Sequence, residues 1–97
     1  MKDEADFQST LKKKIEKLLP GAEIFKTDPR QKRGIPDLLI LYEDKWGALE
    51  CKRSSDASRR LHQDYYVDKW NNMSFARFIS PENEKEVLDE LQNALRA

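Results

Sequence analysis

The 97-residue chain is 38% hydrophobic and 37% charged, which suits one small core under a heavily charged surface, spanning 1–97 as a single domain. Its longest apolar run, Leu38 to Tyr42, is strand-sized and excludes a membrane span, and "MKDEADFQS" lacks the apolar stretch of a signal peptide. One cysteine, Cys51, excludes an internal disulfide framework and a multi-cysteine zinc site, so a reduced, cytoplasmic setting is expected.

Residues 4 to 19 place Phe7, Leu11, Ile15, Leu18 and Leu19 at helical spacing, ended by Pro20-Gly21. "AEIFKT" (22 to 27) alternates like a strand, and "DPRQKRG" is a polar turn. "DLLILY" (37 to 42) is apolar on both faces and predicts a central strand. "EDKWG" turns the chain, and "WGALECK" (46 to 52) returns as an antiparallel partner. Residues 58 to 72 carry Leu61, Tyr65, Tyr66 and Trp70 and predict a helix, with one of the two tyrosines in the core. "SFARFIS" (74 to 80) predicts a short strand. Ser80-Pro81-Glu82 then gives a helix start, with Ser80 as cap, ahead of a buried stripe of Leu88, Leu91 and Leu95. The order α-β-β-β-α-β-α predicts an α/β sandwich around a small mixed sheet.

A formal net charge of zero hides an uneven distribution. From Glu82 onward there are five acids against two bases, leaving residues 1 to 81 at +3. Both "KTDPRQKRG" (26 to 34) and "KRSSDASRR" (52 to 60) carry +3. These basic segments flank the strand pair on either side, a local electrostatic footprint suited to a polyanion.

The strand pair contains the chain's most informative chemistry. Alternate residues of a strand share a face, so Leu49 and Cys51 facing the core would send Glu50 and Lys52 out together on the other side. Asp37 opens the neighbouring strand, just after Ile35-Pro36. In an antiparallel pair the start of one strand lies beside the end of the next, so Asp37, Glu50 and Lys52 should converge. Two adjacent carboxylates repel unless a proton or a cation intervenes. A hard, oxygen-ligated cation such as Mg²⁺ (or Mn²⁺) suits them. With an ammonium beside it, the set suits phosphodiester hydrolysis.

"GIPD", followed after two strands by "ECK", resembles the PD-(D/E)xK nuclease signature. The element order agrees with a restriction-endonuclease-like α-β-β-β-α-β core carrying a C-terminal helix. The short layout is similar to the virus-type replication-repair nuclease (VRR-NUC) domain in its compact, phage-like form. This resemblance implies that Asp37 and Glu50 bind metal and that Lys52 is the catalytic lysine. It also implies that the backbone carbonyl of Cys51 is a further metal ligand, its thiol being a small core group. A Glu on the first helix joins the metal set in such domains. Glu4 is the best match, with Asp3 and Asp6 as competitors, and acids at a helix N-terminus also have a dipole reason to be there. Gln63, in "LHQDYY", matches a glutamine that would orient the water or a phosphate. His62 is expected at the surface or facing a phosphate, and Trp46 and Trp70 in packing. Tyr65 and Tyr66 could stack on a base or buttress the site, although helical spacing favours one of them in the core.

Lys26, Arg30, Lys32, Arg33, Arg53, Arg59 and Arg60 are candidates for DNA phosphate contacts, which position a backbone without reading sequence. No base-reading module is evident, so structure-selective cutting is expected. The resemblance implies DNA as partner, branched or Holliday-junction DNA in particular, cut by a homodimer. The basic loop and the first helix are candidate pairing surfaces. An exonuclease, single-strand or nicking nuclease on the same fold is one alternative. A non-catalytic nucleic-acid-binding module is another, although clustered acids repel a polyanion unless a metal bridges them.

Overall fold

α1 (Glu4–Leu18) leads into β1 (Glu23–Lys26), β2 (Leu38–Tyr42) and β3 (Lys45–Cys51); α2 (Leu61–Met73), β4 (Ala76–Ile79) and α3 (Glu84–Arg96) follow. These elements come from a computed structural model that describes residues 4–58 and 61–97. The strands form one mixed sheet in the order β1-β2-β3-β4. β1–β2 and β2–β3 are antiparallel, while β3 and β4 run parallel through the α2 crossover.

The alternation within each strand sorts its side chains between two layers. Ile24, Leu38, Ile40, Leu49, Cys51, Phe75 and Ile79 form the floor of the main core. α1 covers it with Phe7, Leu11 and Ile15, joined by Leu19 just beyond the helix, and α3 with Val87, Leu88, Leu91 and Leu95. On the opposite face Ala48 and Ala76 sit side by side in register and pack with Val67 of α2. Two small side chains there let α2 lie close to β3 and β4, with Glu50 further along the same strand face. The result is an α/β domain with α1 and α3 on one side of the sheet and α2 on the other. No helix among the described residues is long and apolar enough to cross a membrane.

Three local expectations change. β2 was expected to be covered on both faces, but α2 packs on β3 and β4 and leaves Leu41 39% exposed, with Phe25 of β1 also exposed. The chain reversal is shorter than "EDKWG". Tyr42 pairs with Lys45, leaving Glu43 and Asp44 as a two-residue loop in which Glu43 takes the left-handed conformation (φ 55°). Ser80 does not cap α3. It is buried at the end of β4, sharing a hydrogen bond with the Ser55 hydroxyl (2.7 Å). Its amide donates to Asn83 Oδ1 (2.8 Å), and Asn83 is the residue at the helix N-cap. Pro81–Asn83 form an intervening turn, so the helix begins at Glu84.

Candidate active site

β2 and β3 deliver the two acids. Leu38 pairs with Leu49, so Asp37, one residue ahead of β2, meets the end of β3. There Asp37 Oδ2 accepts the Cys51 amide at 2.8 Å. Glu50, only 2% exposed, lies beneath the first turn of α2. Gln63 Nε2 donates to Glu50 Oε2 (2.8 Å), while Gln63 Oε1 accepts from Lys52 Nζ (2.7 Å). A second acceptor for Nζ is the Ser58 carbonyl at 3.1 Å. One glutamine thus bridges the acid and the ammonium. The structure brings Asp37, Glu50, Lys52 and Gln63 into one cluster.

Burial, followed by the negative charge of Asp37, pushes Glu50 up to about 8. Burial also raises Asp37, against the opposing pull of the Cys51 amide. Near neutral pH, then, the pair cannot readily carry two charges unless a cation compensates. Glu4, at the start of α1, adds its charge to the field that raises both acids. Asp6 is exposed on α1, and Asp3 lies outside the described residues. The Cys51 thiol is wholly buried in the core and raised by that burial, which suits a packing group rather than a nucleophile.

Glu50 Oε1 is buried and receives no hydrogen bond among the described residues; a proton on Glu50 would be shared with the Asp37 carboxylate. A buried carboxylate oxygen left in this state is costly unless a proton or a metal uses its lone pairs. Among the described residues, no three His, Cys, Asp or Glu side chains form a ready-made metal cage. The adjacent Asp37 and Glu50 carboxylates fit a cation such as Mg²⁺, which takes one or two carboxylates and retains several waters.

The cluster opens into a cleft of about 220 Å³ lined by Arg33, Gly34, Asp37, Glu50, His62 and Gln63. Its outer wall is the 28–36 loop, closed at its base by Thr27. The Thr27 amide donates to the Asp37 carbonyl (2.8 Å), and its hydroxyl donates to the Pro36 carbonyl (2.7 Å). Near the loop tip Arg30 grips Asp28 through two guanidinium nitrogens (3.0 Å each), an exposed pair. Gly34 seats the loop on α2: its φ is 86°, and a Cβ there would come within 2.4 Å of His62 Cβ. Gly34→Ala is expected to lift the loop from α2 and destabilise the fold by about 1–2 kcal/mol from the left-handed conformation alone, read as a lower denaturation midpoint.

Of the predicted basic residues, Arg33 lines the cleft. Lys26 is exposed at the end of β1 opposite Leu38, Lys32 reaches the Tyr66 ring, and Arg53 is exposed beyond β3. Arg59 and Arg60 lie outside the described residues. Sequence reading missed Thr27 and Ser58. Both act on or through backbone carbonyls, which leave no pattern in side-chain types. A larger groove of about 490 Å³ between α2 and β4 lies apart from the acid pair, and its Arg77 is already held by Asn71 and Glu90.

No protein-family model matches the sequence, and no curated protein is detectably similar to it. The fold, in contrast, is similar to a solved structure described as a VRR_NUC domain. The TM-score is 0.68 at 20% identity, over 93% of this chain and 94% of that one. The chain has the fold of a VRR_NUC domain.

Proposed function

We propose that this chain is a divalent-metal-dependent DNA endonuclease that hydrolyses phosphodiester bonds in branched or Holliday-junction DNA as a homodimer. The observation that carries this reading is the buried, unpartnered Glu50 Oε1 beside Asp37, with the Lys52 ammonium held two bonds away through Gln63. Asp37 and Glu50, with the Cys51 carbonyl, would hold the metal, and Glu4 adds negative charge to the field around it; when bound, the metal would polarise a phosphate oxygen and lower the pKa of its water. Gln63 fixes the Glu50 carboxylate and aims the Lys52 ammonium. An ammonium has three N–H groups, and two of them are engaged by Gln63 and Ser58. The third can donate to the attacked phosphate or exchange a proton with the nucleophilic water. Arg33 on the cleft wall supplies a charged fork for a neighbouring phosphate.

The basic loop and the exposed cations contact only backbone phosphates in this reading, so shape rather than sequence selects the substrate. One cluster cuts one strand, and opposite strands at a junction require two. The apolar groove between the exposed face of β2 and the end of α2, lined by Leu39, Leu41, Trp46, Trp70 and Met73, supports pairing of two copies through that face rather than through the basic loop. A phage or bacterial-host cytoplasm is the setting proposed.

The test is cleavage of end-labelled four-way junction, flap, duplex and single-stranded DNA with Mg²⁺, Mn²⁺ or EDTA, alongside light scattering. The expected result is a dimer that cuts the junction at paired positions in Mg²⁺ and cuts nothing in EDTA. Cutting only from free ends would replace this reading with an exonuclease. Junction binding without cutting under any metal would replace it with a binding module.

A further inference from the structure

Tyr65 and Tyr66 follow Gln63 by two and three residues on α2, roughly 3–5 Å along the helix axis. Neither belongs to the core, contrary to the helical-spacing expectation: Tyr65 is 56% exposed and Tyr66 half-buried. Their rings meet edge to face, with centroids 4.9 Å apart at 82°. Tyr66 continues the contact to Trp70 (6.4 Å), and Trp70 to Trp46 (5.9 Å). The exposed ring is therefore the outer end of an aromatic chain anchored on the sheet. Each tyrosine also has a cation near it: Lys69 Nζ is 5.8 Å from the Tyr65 centroid, and Lys32 Nζ is 6.0 Å from that of Tyr66. Lys32 belongs to the same loop as Arg33, which lines the cleft.

An exposed, braced pair of aromatic rings with a lysine beside each, on the helix whose first turn carries Gln63, suits a single nucleic-acid strand. Lysine is depleted where proteins dock on proteins, whereas surfaces for single strands combine cations for the backbone with rings for the bases. We propose that Tyr65, which the helix turns about 200° from Gln63 to the outer side of α2, is a stacking platform for an unpaired base of a strand that runs from the cleft over α2, with Lys69 and Lys32 neutralising phosphates along it. This rests on the nuclease reading of the cleft. Bases within a duplex are already stacked on one another and present no face to the ring. Among branched substrates, Tyr65 therefore favours those in which a base is unpaired at the branch point.

The test uses a flapped DNA with 2-aminopurine in the single-stranded arm beside the branch, and a blunt duplex of equal length, bound in EDTA so that nothing is cut. The wild-type protein and Tyr65→Phe are expected to change the 2-aminopurine emission on binding, and Tyr65→Ala is not. Tyr65→Ala should weaken flap binding about tenfold and leave duplex binding unchanged. Replacing the probed nucleotide by an abasic site should cost the wild-type protein the same factor and cost Tyr65→Ala nothing further. Equal weakening on flap and duplex, or abasic sensitivity that persists in Tyr65→Ala, would overturn the proposal. So would unchanged DNA binding together with an altered mass by light scattering, which would make Tyr65 a protein contact. Failure of the wild-type protein to bind any DNA would instead remove the nuclease reading on which the proposal stands.

Discussion

Glu50→Gln is expected to abolish DNA cleavage and, in the metal-free protein at pH 8, to increase stability. The reason is the proton the wild-type site must hold. Glu50 titrates near 4.5 in an unfolded chain and near 8 in the fold, because of its burial and the adjacent Asp37 charge. Between those values the folded state binds a proton that the unfolded state lacks. Wild-type stability is therefore fully present below about pH 4.5, is lost as pH rises, and levels off above about 8, with a slope of at most about 1.4 kcal/mol per pH unit. Glutamine has no such proton. Its carbonyl can still accept from Gln63, and its amide can donate to Asp37. The variant should melt close to the wild type at pH 5 and on the order of 10 °C higher at pH 8. Mg²⁺ at pH 8 should raise the wild-type midpoint and leave that of the variant unmoved. Cleavage should fall by about a thousandfold or more, as the loss of several kcal/mol of charge stabilisation requires. Equal melting of the two proteins across this pH range would remove the argument that the acid pair is poised for a cation.

Lys52→Met separates chemistry from metal binding. The ammonium is not placed to ligate a cation; it is held by Gln63 and Ser58. Its removal is expected to lower the single-turnover cleavage rate by about 10²–10⁴, the usual range for a lost proton-transfer group. The Mg²⁺-induced rise in melting temperature should remain. Gln63→Ala should cost less, about tenfold, because the lysine keeps its Ser58 anchor and Asp37 its Cys51 amide, and only the Glu50 carboxylate loses its Gln63 donor. Equal losses in both variants would mean that the Ser58 anchor does not suffice and that the lysine acts only when Gln63 holds it.

The convergence of Asp37, Glu50 and Lys52 was legible because strand alternation and antiparallel pairing are short-range rules that a strand pair obeys almost mechanically. Leu49 and Cys51 are apolar, so their neighbours had to emerge on the opposite face. The start of α3 was not legible, since Ser80 has a capping residue's chemistry but is claimed by β4 and by Ser55, a partner 25 residues away. The same limit applies to Tyr65 and Leu41. Their types suggest burial, yet α2 covers only half of its sheet face, and which half depends on the Ala48–Ala76 pair rather than on any pattern within α2. Ser58 and Thr27 stayed hidden because the contacts they make end on main-chain oxygens.

The closure of the 28–36 loop by Thr27 separates two jobs that share one stretch of chain. Asp37 is fixed by the Thr27 bonds at the base and by the Cys51 amide, both outside the tip that carries Arg30 and Lys32. Doubling the length of a flexible loop adds only about 0.6 kcal/mol of closure entropy. The tip is thus open to exchange: residues 29–32 can be replaced or lengthened without re-aiming the acids behind them.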